Sequence, residues 1–310
     1  MKEKSRRSKE KKGSRKLWKW LVGGFFFIIL VIAATTYISI QKTVDKMNTP
    51  LVENGEGKSP VVNVSKTKPF SVLLLGVDER EDDNGRSDTM IVVTVNPEKK
   101  SMKMLSIPRD TRTEIIGNDT VEKINHAYAR GGVPMAMDTV ENFIDIPIDN
   151  YVFINMEGFL QIIDTLGGIT INNDMELTYD NYHFPKGEVN LTGEEALIFT
   201  RIRYEDPRGD FGRQIRQRQV IEAVMKKASN PSMLMKVDDV LDVVGENVRM
   251  NFAMSDLVKL QSIYKKMDGS IDQLSFEKGE ELRLDKWYYI PDDEELLSIQ
   301  TTLQEHLKEK

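Results

Sequence analysis

The chain has 310 residues, of which 40% are hydrophobic and 30% are charged, with a formal net charge of −6 and no cysteine. Without cysteine there are no disulfides, thiol nucleophiles or thiolate metal ligands, so stability has to come from a packed core, which a chain of this length can supply. Only three histidines are present, His126, His183 and His306, and their wide spacing argues against a zinc site.

The N-terminal 40 residues predict a membrane anchor. The first 16 residues hold nine Lys/Arg and two Glu, a local charge of +7, and residues 20–40 contain no charged side chain. An apolar stretch of about 20 residues can span a bilayer as a helix, and positive charge stays on the cytoplasmic side. The alternative is a cleavable signal peptide, whose apolar region usually spans only about 7–15 residues. We therefore predict a basic cytoplasmic tail over residues 1–19 and a single-pass type II signal-anchor helix over residues 20–40 at the cell membrane.

The rest of the chain is predicted to lie outside the cell. Residues 41–69 are polar and carry Pro50, Pro60 and Pro69, which indicates an extracellular linker, with Val61 to Val64 as a candidate edge strand. Residues 70–310 are long enough for one extracellular domain. Residues 20–310 carry a net charge of −14, so this part is not a generic binder of polyanions.

Strands and helices are mixed along the chain from Phe70 onward. Apolar runs and a hairpin pattern predict strands at Phe70 to Val77, Met90 to Asn96 and Ser101 to Ile107. Short apolar runs predict four more strands, at Tyr151 to Asn155, Ile169 to Ile171, Gln273 to Glu277 and Trp287 to Ile290. This mixture predicts the α/β class, as a three-layer α/β/α sandwich with a central mixed β-sheet, preceded by the N-terminal transmembrane helix.

Caps and apolar periodicity predict the helices. The first two are expected at Lys123 to Arg130, which stops at Gly131-Gly132, and at Met135 to Phe143. The others are expected at Glu157 to Leu166, after the Thr192-x-x-Glu195 capping box, at Phe211 to Ala228, from a Ser255 cap to Met267, and at Asp292 to Leu307. The core side of the long helix is expected to carry Ile221, Val224, Met225 and Ala228.

The segment from Arg201 to Arg218 holds six arginines in 18 residues around a Pro-Gly loop. The guanidinium fork suits pairs of phosphate oxygens, so this segment is a candidate phosphate clamp. The alternative is a solvated, salt-bridged helix face. The spacing partly favours a clamp whose side chains reach one ligand, because Arg213 and Gln217 share one helix face and Arg216 is adjacent to it. Arg201 and Arg203 share a face only in an extended backbone, and Arg218 is expected to be a salt-bridge residue.

Three polar motifs lie near predicted strand ends, at Asp78, at Arg86-Ser-Asp88-Thr and at Ser106-Ile-Pro-Arg109-Asp. If the first two strands are antiparallel neighbours, Asp78 and Asp88 lie at the same end. Two carboxylates with substrate phosphate oxygens suit Mg²⁺, although each residue taken alone is more typical of a strand end or turn. The sequence has no P-loop, G-x-S-x-G or H-E-x-x-H motif. Phosphoryl transfer fits this set, because its rate comes from positioning and charge stabilisation.

These motifs together resemble the LytR-CpsA-Psr family of cell-wall glycopolymer ligases, and within it the teichoic acid transferase type. The resemblance runs in order from about Phe70 to Val224. It is carried by Leu74-Leu-Gly-Val-Asp78, Arg86-Ser-Asp88-Thr, Ser106-Ile-Pro-Arg109-Asp, Lys123-Ile-Asn-His-Ala-Tyr128, Leu166-Gly-Gly-Ile169, Leu191-Thr-Gly-Glu-Glu-Ala196-Leu and the Arg201-to-Arg218 segment.

The resemblance implies a function and a site. Family members transfer a glycopolymer phosphate from a polyprenyl pyrophosphate carrier to N-acetylmuramic acid of peptidoglycan, outside the membrane of a Gram-positive type cell, and their fold has an apolar tunnel for the lipid. The metal-site acids fall on Asp78 and Asp88, with Mg²⁺ expected and Mn²⁺ as its substitute. The pyrophosphate-contacting positions fall on Arg86, Arg109, Lys123, Arg201, Arg203, Arg213 and Gln217. Among these residues, catalysis is assigned to Asp88, Arg109, Arg201 and Arg203.

Two other functions remain open on the sequence. The arginines of a non-catalytic lipid-phosphate or wall-polymer binding protein would only hold the ligand, and a polyprenyl-pyrophosphate pyrophosphatase would use water as the nucleophile. The general base is also open, with Asp88 or another carboxylate as the candidate. A nucleic-acid partner is not expected, because the short basic tail holds no DNA-binding fold and suits anionic lipid headgroups.

Overall fold

The structure, a computed structural model, describes residues 38–49, 64–65, 67–78, 85–228, 245, 247–264, 266, 271–284 and 286–309. The chain divides into two compact units, Met1–Thr43 and Val44–Lys310. Most of the predicted signal-anchor helix, together with the basic tail, lies outside the described residues. Within the described part, no helix has the length and apolar character needed to cross a bilayer.

Among the residues that the structure describes, the named elements after the helical residues 38–47 are fourteen strands and six helices. In chain order the strands are β1 (Phe70–Val77), β2 (Ser87–Asn96), β3 (Ser101–Ser106), β4 (Arg112–Ile115), β5 (Thr120–Lys123), β6 (Asn150–Asn155), β7 (Ile169–Asn173), β8 (Leu177–Tyr179), β9 (Tyr182–Phe184), β10 (Gly187–Leu191), β11 (Val248–Met250), β12 (Ile271–Leu274), β13 (Gly279–Arg283) and β14 (Trp287–Pro291). The helices are α1 (His126–Ile144), α2 (Met156–Thr165), α3 (Gly193–Arg201), α4 (Asp210–Ala228), α5 (Met254–Tyr264) and α6 (Asp293–Leu307).

Six strands form the central sheet, in the order β11-β6-β1-β2-β3-β12. Strand β1 pairs antiparallel with β2 and parallel with β6, so the sheet is mixed. The central strands β1 and β2 are apolar and largely buried along their length, as expected of strands covered on both faces. The predicted α/β fold with a central mixed sheet is therefore confirmed.

One face of the sheet packs against α1 and α6 in a dry core. Leu73, Leu75 and Val77 alternate along β1 toward this core, as the two-residue period of a strand requires. The helices contribute buried apolar side chains to the same cluster, among them Val140 of α1 and Leu303 of α6. This core holds the sheet in place.

The helices α2, α3 and α4 form a second apolar cluster with strands β7 to β10. Phe199, Ile202 and Val220 are completely buried in it. The predicted capping box starts α3: the Thr192 side chain accepts from the Glu195 N–H, and the Glu195 carboxylate accepts from the Thr192 N–H. This second cluster fixes α3 and α4, which carry the arginine-rich segment.

The structure corrects three of the sequence predictions outside the first helix. The folded unit begins at Val44 rather than at Phe70, because Val44 and Met47 are buried within it. Val64 is buried with its N–H donated to Asp256, and it belongs to no strand. Helix α5 already includes Ser255, so Ser255 is not its cap; the Asp256 carboxylate accepts from the Ala253 N–H in the first turn instead.

The predicted break at Gly131-Gly132 is a kink. Both glycines have non-helical backbone angles, but α1 continues on either side of them. The helix also begins at His126 rather than at Lys123, which is the last residue of β5. This shift places Lys123 on a strand at the edge of the site described next.

Candidate active site

Asp78 and Asp88 lie at the same end of the two central strands. Asp78 directly follows β1 and Asp88 is the second residue of β2, beside an irregularity in the register at Gly76/Val77. The Asp78 N–H donates to the Arg86 carbonyl at 3.4 Å, so this hydrogen bond links the end of β1 to the residue before β2. Gly85 is required there, because a Cβ on it would lie 2.5 Å from the Asp78 carbonyl oxygen and its φ is +71°.

Arg109 follows β3 and reaches the same end of the sheet. Its Nη1 donates to Asp88 Oδ1 at 2.7 Å, and its Nε lies 3.8 Å from Asp110 Oδ2. Burial alone would lower the pKa of the guanidinium, but the charge and hydrogen bond of Asp88 outweigh it and the pKa is raised. Arg109 therefore stays cationic next to the two acids.

Arg201 and Arg203 come from the end of α3. Arg201 is the last helical residue, and Ile202 follows with extended angles, φ −54° and ψ 130°. The backbone is thus extended at this point, and both arginines line one cavity while Ile202 is buried between them. Arg201 Nη2 lies 3.6 Å from Asp78 Oδ2, and Arg203 Nε lies 3.8 Å from Asp210 Oδ1.

The first turns of α4 supply Arg213 and Gln217. Both line the same cavity as Arg201, as their four-residue spacing predicts. Arg213 Nη2 lies 2.8 Å from Asp210 Oδ1, and only 7% of the Arg213 side chain is exposed. Burial, with smaller contributions from Arg109 and Arg203, lowers the pKa of Arg213 despite Asp210. An anionic ligand would relieve this concentration of positive charge.

The other three arginines of the segment are structural. Arg216 is completely buried, and its guanidinium donates to the Phe199 and Ile202 carbonyls and to Asp206. Arg208 also binds Asp206. Arg218 donates to Gln273 Oε1 and Ser106 Oγ, where a salt bridge had been expected. Arg208, Arg216 and Arg218 thus bind other groups of the protein, whereas Arg201, Arg203 and Arg213 line the cavity.

A large cavity joins these charges to an apolar wall. It has a volume of about 680 Å³, within the range of about 300–1,000 Å³ that is typical of ligand pockets. Its charged end is formed by Asp78, Asp88, Arg109, Arg201, Arg203 and Arg213. Its apolar wall comes from the sheet face opposite the dry core and from α2, α3 and α4, including Leu74, Val152, Ile154, Phe159, Leu197 and Ile221. This cavity suits an amphipathic ligand with an anionic head.

A second, polar cavity of about 420 Å³ lies next to the same acids. Asp78, Asp88 and Arg109 line both cavities. The predicted residues Arg86 and Lys123 line only the polar one, where Lys123 Nζ binds Asp110 Oδ1 at 2.6 Å. All predicted site residues therefore border one of two adjoining cavities.

The family model of the LytR_cpsA_psr family matches residues 34–305. The chain belongs to the LytR_cpsA_psr family. A Bacillus cereus member, named polyisoprenyl-teichoic acid–peptidoglycan teichoic acid transferase TagU, is 44% identical over 299 residues, covering 95% of this chain and 98% of the relative. The crystal structure of B. subtilis TagU is 47% identical and superposes with a TM-score of 0.66, covering 79% of this chain and 99% of that one. A structure described as TagT bound to LIIa-WTA is 28% identical with a TM-score of 0.67, covering 84% of this chain and 96% of that one.

In this member of the LytR_cpsA_psr family, sequence reasoning missed several residues of the site. Asp110, Asn125, His126 and Lys286 line the polar cavity, and Asp210 pairs with Arg213. Asp110 and the Asn-His pair stand inside motifs already quoted, so their position in those motifs was a usable signal. Lys286 lies far along the chain and carried no such signal.

Proposed function

We propose that this chain transfers a teichoic acid phosphate from a polyprenyl-pyrophosphate carrier to a sugar hydroxyl of N-acetylmuramic acid in peptidoglycan. The TagU relative named above is a polyisoprenyl-teichoic acid–peptidoglycan teichoic acid transferase, and it matches this chain over nearly its whole length. The observation that carries the proposal is the large cavity, whose apolar wall ends at two acids and four arginines.

The chemistry of the cavity fits a lipid diphosphate. An apolar chain gains about 0.8 kcal/mol for each CH₂ removed from water, and the wall formed by α2, α3, α4 and the sheet offers such burial. A diphosphate is a dense anion with paired oxygens, which guanidinium groups bind two at a time. A neutral lipid would offer no anionic group for Arg203 and Arg213 to bind. A water-soluble anion would offer no hydrocarbon to pack against the apolar wall.

The arginines have two tasks in the transfer. They hold the diphosphate next to the acceptor, which converts an encounter into a positioned reaction. They also stabilise the charge that gathers on the transferred and leaving phosphoryl groups. Arg109, Arg201, Arg203 and Arg213 already lie in place, held by carboxylates at 2.7–3.8 Å.

Asp78 and Asp88 fit a magnesium ion. Mg²⁺ is usually bound through one or two carboxylates together with substrate phosphate oxygens, and these two carboxylates border the cavity end where the diphosphate is proposed to lie. Among the described residues no cluster of three or more His, Cys, Asp or Glu side chains could hold a metal by itself, so the substrate would complete the site. When bound, the ion would neutralise charge on the diphosphate, and Mn²⁺ would be its substitute.

We also propose that the enzyme is anchored in the cell membrane with its folded unit outside. The uncharged stretch over residues 20–40 follows ten Lys/Arg and supports a membrane anchor with the folded unit on the outer side. That side is where a polyprenyl carrier and peptidoglycan meet.

The test uses the purified full-length chain, a lipid-linked teichoic acid donor, peptidoglycan and Mg²⁺. We expect polymer bound to peptidoglycan and release of polyprenyl phosphate. Arg109→Ala and Arg201→Ala should each lower the transfer rate about 10²–10³-fold, as loss of one charge-stabilising donor does. Arg283→Ala, which removes a guanidinium outside both cavities, is the matched control.

Two results would count against the transferase, and a third would count against the role of its arginines. A binding protein would retain the donor but release no polyprenyl phosphate. A pyrophosphatase would release it equally with or without peptidoglycan. Full transfer by both cavity variants would remove the role given to the arginines. Chelation of Mg²⁺ with EDTA, followed by its restoration, tests the metal separately.

A further inference from the structure

The polar cavity adjoins the apolar cavity at a shared charged centre. Asp78, Asp88 and Arg109 line both cavities. Four cations face into the polar cavity, from Arg86, Arg109, Lys123 and Lys286, together with three carboxylates, from Asp78, Asp88 and Asp110. Its wall is mainly polar and suits a hydroxylated ligand. The proposed function alone gives this cavity no occupant.

The geometry of phosphoryl transfer assigns an occupant to the polar cavity. The attacking and leaving oxygens lie roughly in line through phosphorus. If the leaving polyprenyl phosphate extends into the apolar cavity, the attacking hydroxyl has to arrive from the opposite side. We propose that the polar cavity holds the acceptor sugar hydroxyl and that His126 takes its proton. This inference rests on the proposed function and names the general base of that reaction.

His126 is held as a base would be. Its Nδ1 lies 2.7 Å from Glu122 Oε2, and the other Glu122 oxygen accepts from Arg130 Nη2 at 2.5 Å. The hydrogen bonds from Arg130 and His126 lower the pKa of Glu122 to about 2, so the carboxylate is ionised at neutral pH. An ionised carboxylate accepts the Nδ1 proton, which leaves the lone pair of a neutral imidazole on Nε2.

One ring nitrogen of His126 is left for a ligand. His126 lines the polar cavity, whereas Glu122, on the Nδ1 side, lines a separate surface depression. Within the part of the chain that the structure describes, Nδ1 of His126 is hydrogen-bonded and Nε2 is not. The preceding residue, Asn125, also lines this cavity and is only 4% exposed, yet its Oδ1 has no hydrogen-bond partner among the described residues.

A buried amide oxygen without a partner is costly, by about 1–3 kcal/mol. A hydroxyl or amide N–H of a sugar in the cavity would satisfy Asn125 Oδ1. Each carboxylate that lines the polar cavity already has a cation beside it, so its oxygens are engaged before a substrate arrives. Asp88 accepts from Arg109, Asp110 accepts from Lys123, and Asp78 lies 3.6 Å from Arg201.

The proposed reaction forms one phosphorus–oxygen bond and breaks another. The acceptor oxygen forms a bond to the phosphorus of the polymer-linked phosphate, and its proton moves to His126 Nε2. The bond between that phosphorus and the bridging oxygen breaks, and the oxygen leaves with the electron pair on polyprenyl phosphate. The imidazolium then gives its proton to water, which restores the neutral ring for the next turnover.

The test compares wild type, His126→Gln and Glu122→Gln in the full-length chain, with lipid-linked donor and peptidoglycan. His126→Gln should lower kcat for transfer about 10²-fold or more, the usual contribution of a general base, with the donor KM unchanged. Glu122→Gln should lower kcat less, because it affects orientation only. His183→Gln, an exposed histidine on β9, is the matched control and should retain full activity.

The pH profile separates a base from a structural residue. The groups facing His126 are carboxylates, ammonium and guanidinium groups, which ordinarily titrate outside pH 5–8. If the acceptor proton passes to His126, any acid limb of the wild-type kcat profile should be absent in His126→Gln. If the variant folds, keeps the wild-type kcat and keeps the acid limb, the inference is wrong while the transferase stands. If wild type itself transfers nothing to peptidoglycan, the proposed function fails first.

Discussion

Replacing Arg216 by methionine should destabilise the fold, whereas replacing Arg201 by alanine should not. Both residues belong to the same arginine-rich segment, but the Arg216 side chain is completely buried and the Arg201 side chain is 51% exposed. Arg216 satisfies two buried carbonyls and the buried Asp206 carboxylate. The two substitutions therefore separate a structural arginine from one that faces a ligand.

The contacts set the size of the effect. Leaving one partner of a buried ion pair alone costs about 3–5 kcal/mol, and each unsatisfied buried carbonyl about 1–3 kcal/mol. These terms do not add, because Arg208 still donates to Asp206 in the variant. We expect a loss of about 3–5 kcal/mol for Arg216→Met, which corresponds to a fall in Tm of about 6–20 °C for a domain of this size.

The assay is thermal and urea unfolding followed by circular dichroism, with transfer activity measured in parallel. Arg201→Ala should change the free energy of unfolding by no more than about 0.5 kcal/mol while losing transfer. Arg216→Lys should recover little stability, because an ammonium group cannot reproduce the planar fork. A wild-type Tm for Arg216→Met, combined with lost transfer, would refute the division of the segment into structural and ligand-facing arginines.

Three further predictions follow from the packing. His306 is buried between Thr94 and Ser101, and its pKa is lowered to about 4, mainly by burial. As the pH falls, the unfolded chain therefore binds the proton before the folded chain does. The free energy of unfolding should fall by about 2 kcal/mol between pH 6.5 and 5. Urea titrations at both pH values should show a smaller fall for His306→Gln. Ile221→Trp should fill part of the apolar cavity, leaving Tm nearly unchanged but selectively lowering transfer from long-chain donors, as a series of polyprenyl lengths would reveal. Thr192→Ala should lose about 1 kcal/mol by chemical denaturation, through loss of the α3 cap, and serine at this position should retain it.

The sequence predicted the sheet because its signals are local. The continuous apolar runs predict β1 and β2, and the turn at Asn96 predicts the hairpin of β2 with β3. The placement of Asp78 and Asp88 at one sheet end depended on β1 and β2 being antiparallel neighbours, which the structure shows. The helix starting after Thr192 was predictable for the same reason. The Ser255 cap failed because a serine before a periodic stretch is a weak signal. The Asp256 carboxylate accepts from the Ala253 N–H at the start of α5 and also from the Val64 N–H of a distant segment.

The apolar cavity could not be predicted residue by residue. Ile221, Val224 and Met225 have the spacing of a core-facing helix side, and they are half-buried along the cavity wall. Hydrophobic periodicity reports which side of a helix avoids water, and it is the same whether the space opposite is filled by side chains or left for a ligand. Only the three-dimensional arrangement separates Val220, which is completely buried, from its neighbour Ile221.

The arrangement of acids explains how a strongly acidic folded unit carries a dense cation cluster. Asp88 and Asp210 lie 2.7 and 2.8 Å from Arg109 and Arg213, respectively. Without these carboxylates, Arg109, Arg203 and Arg213 would repel one another in a partly buried site, and their burial would be costly. A bound diphosphate would exchange one set of anionic oxygens for another without first bringing the guanidinium groups together. The side chains are therefore oriented before the ligand arrives, which lowers the entropy lost on binding. The same pairing makes a local excess of arginine compatible with the overall negative charge of the chain.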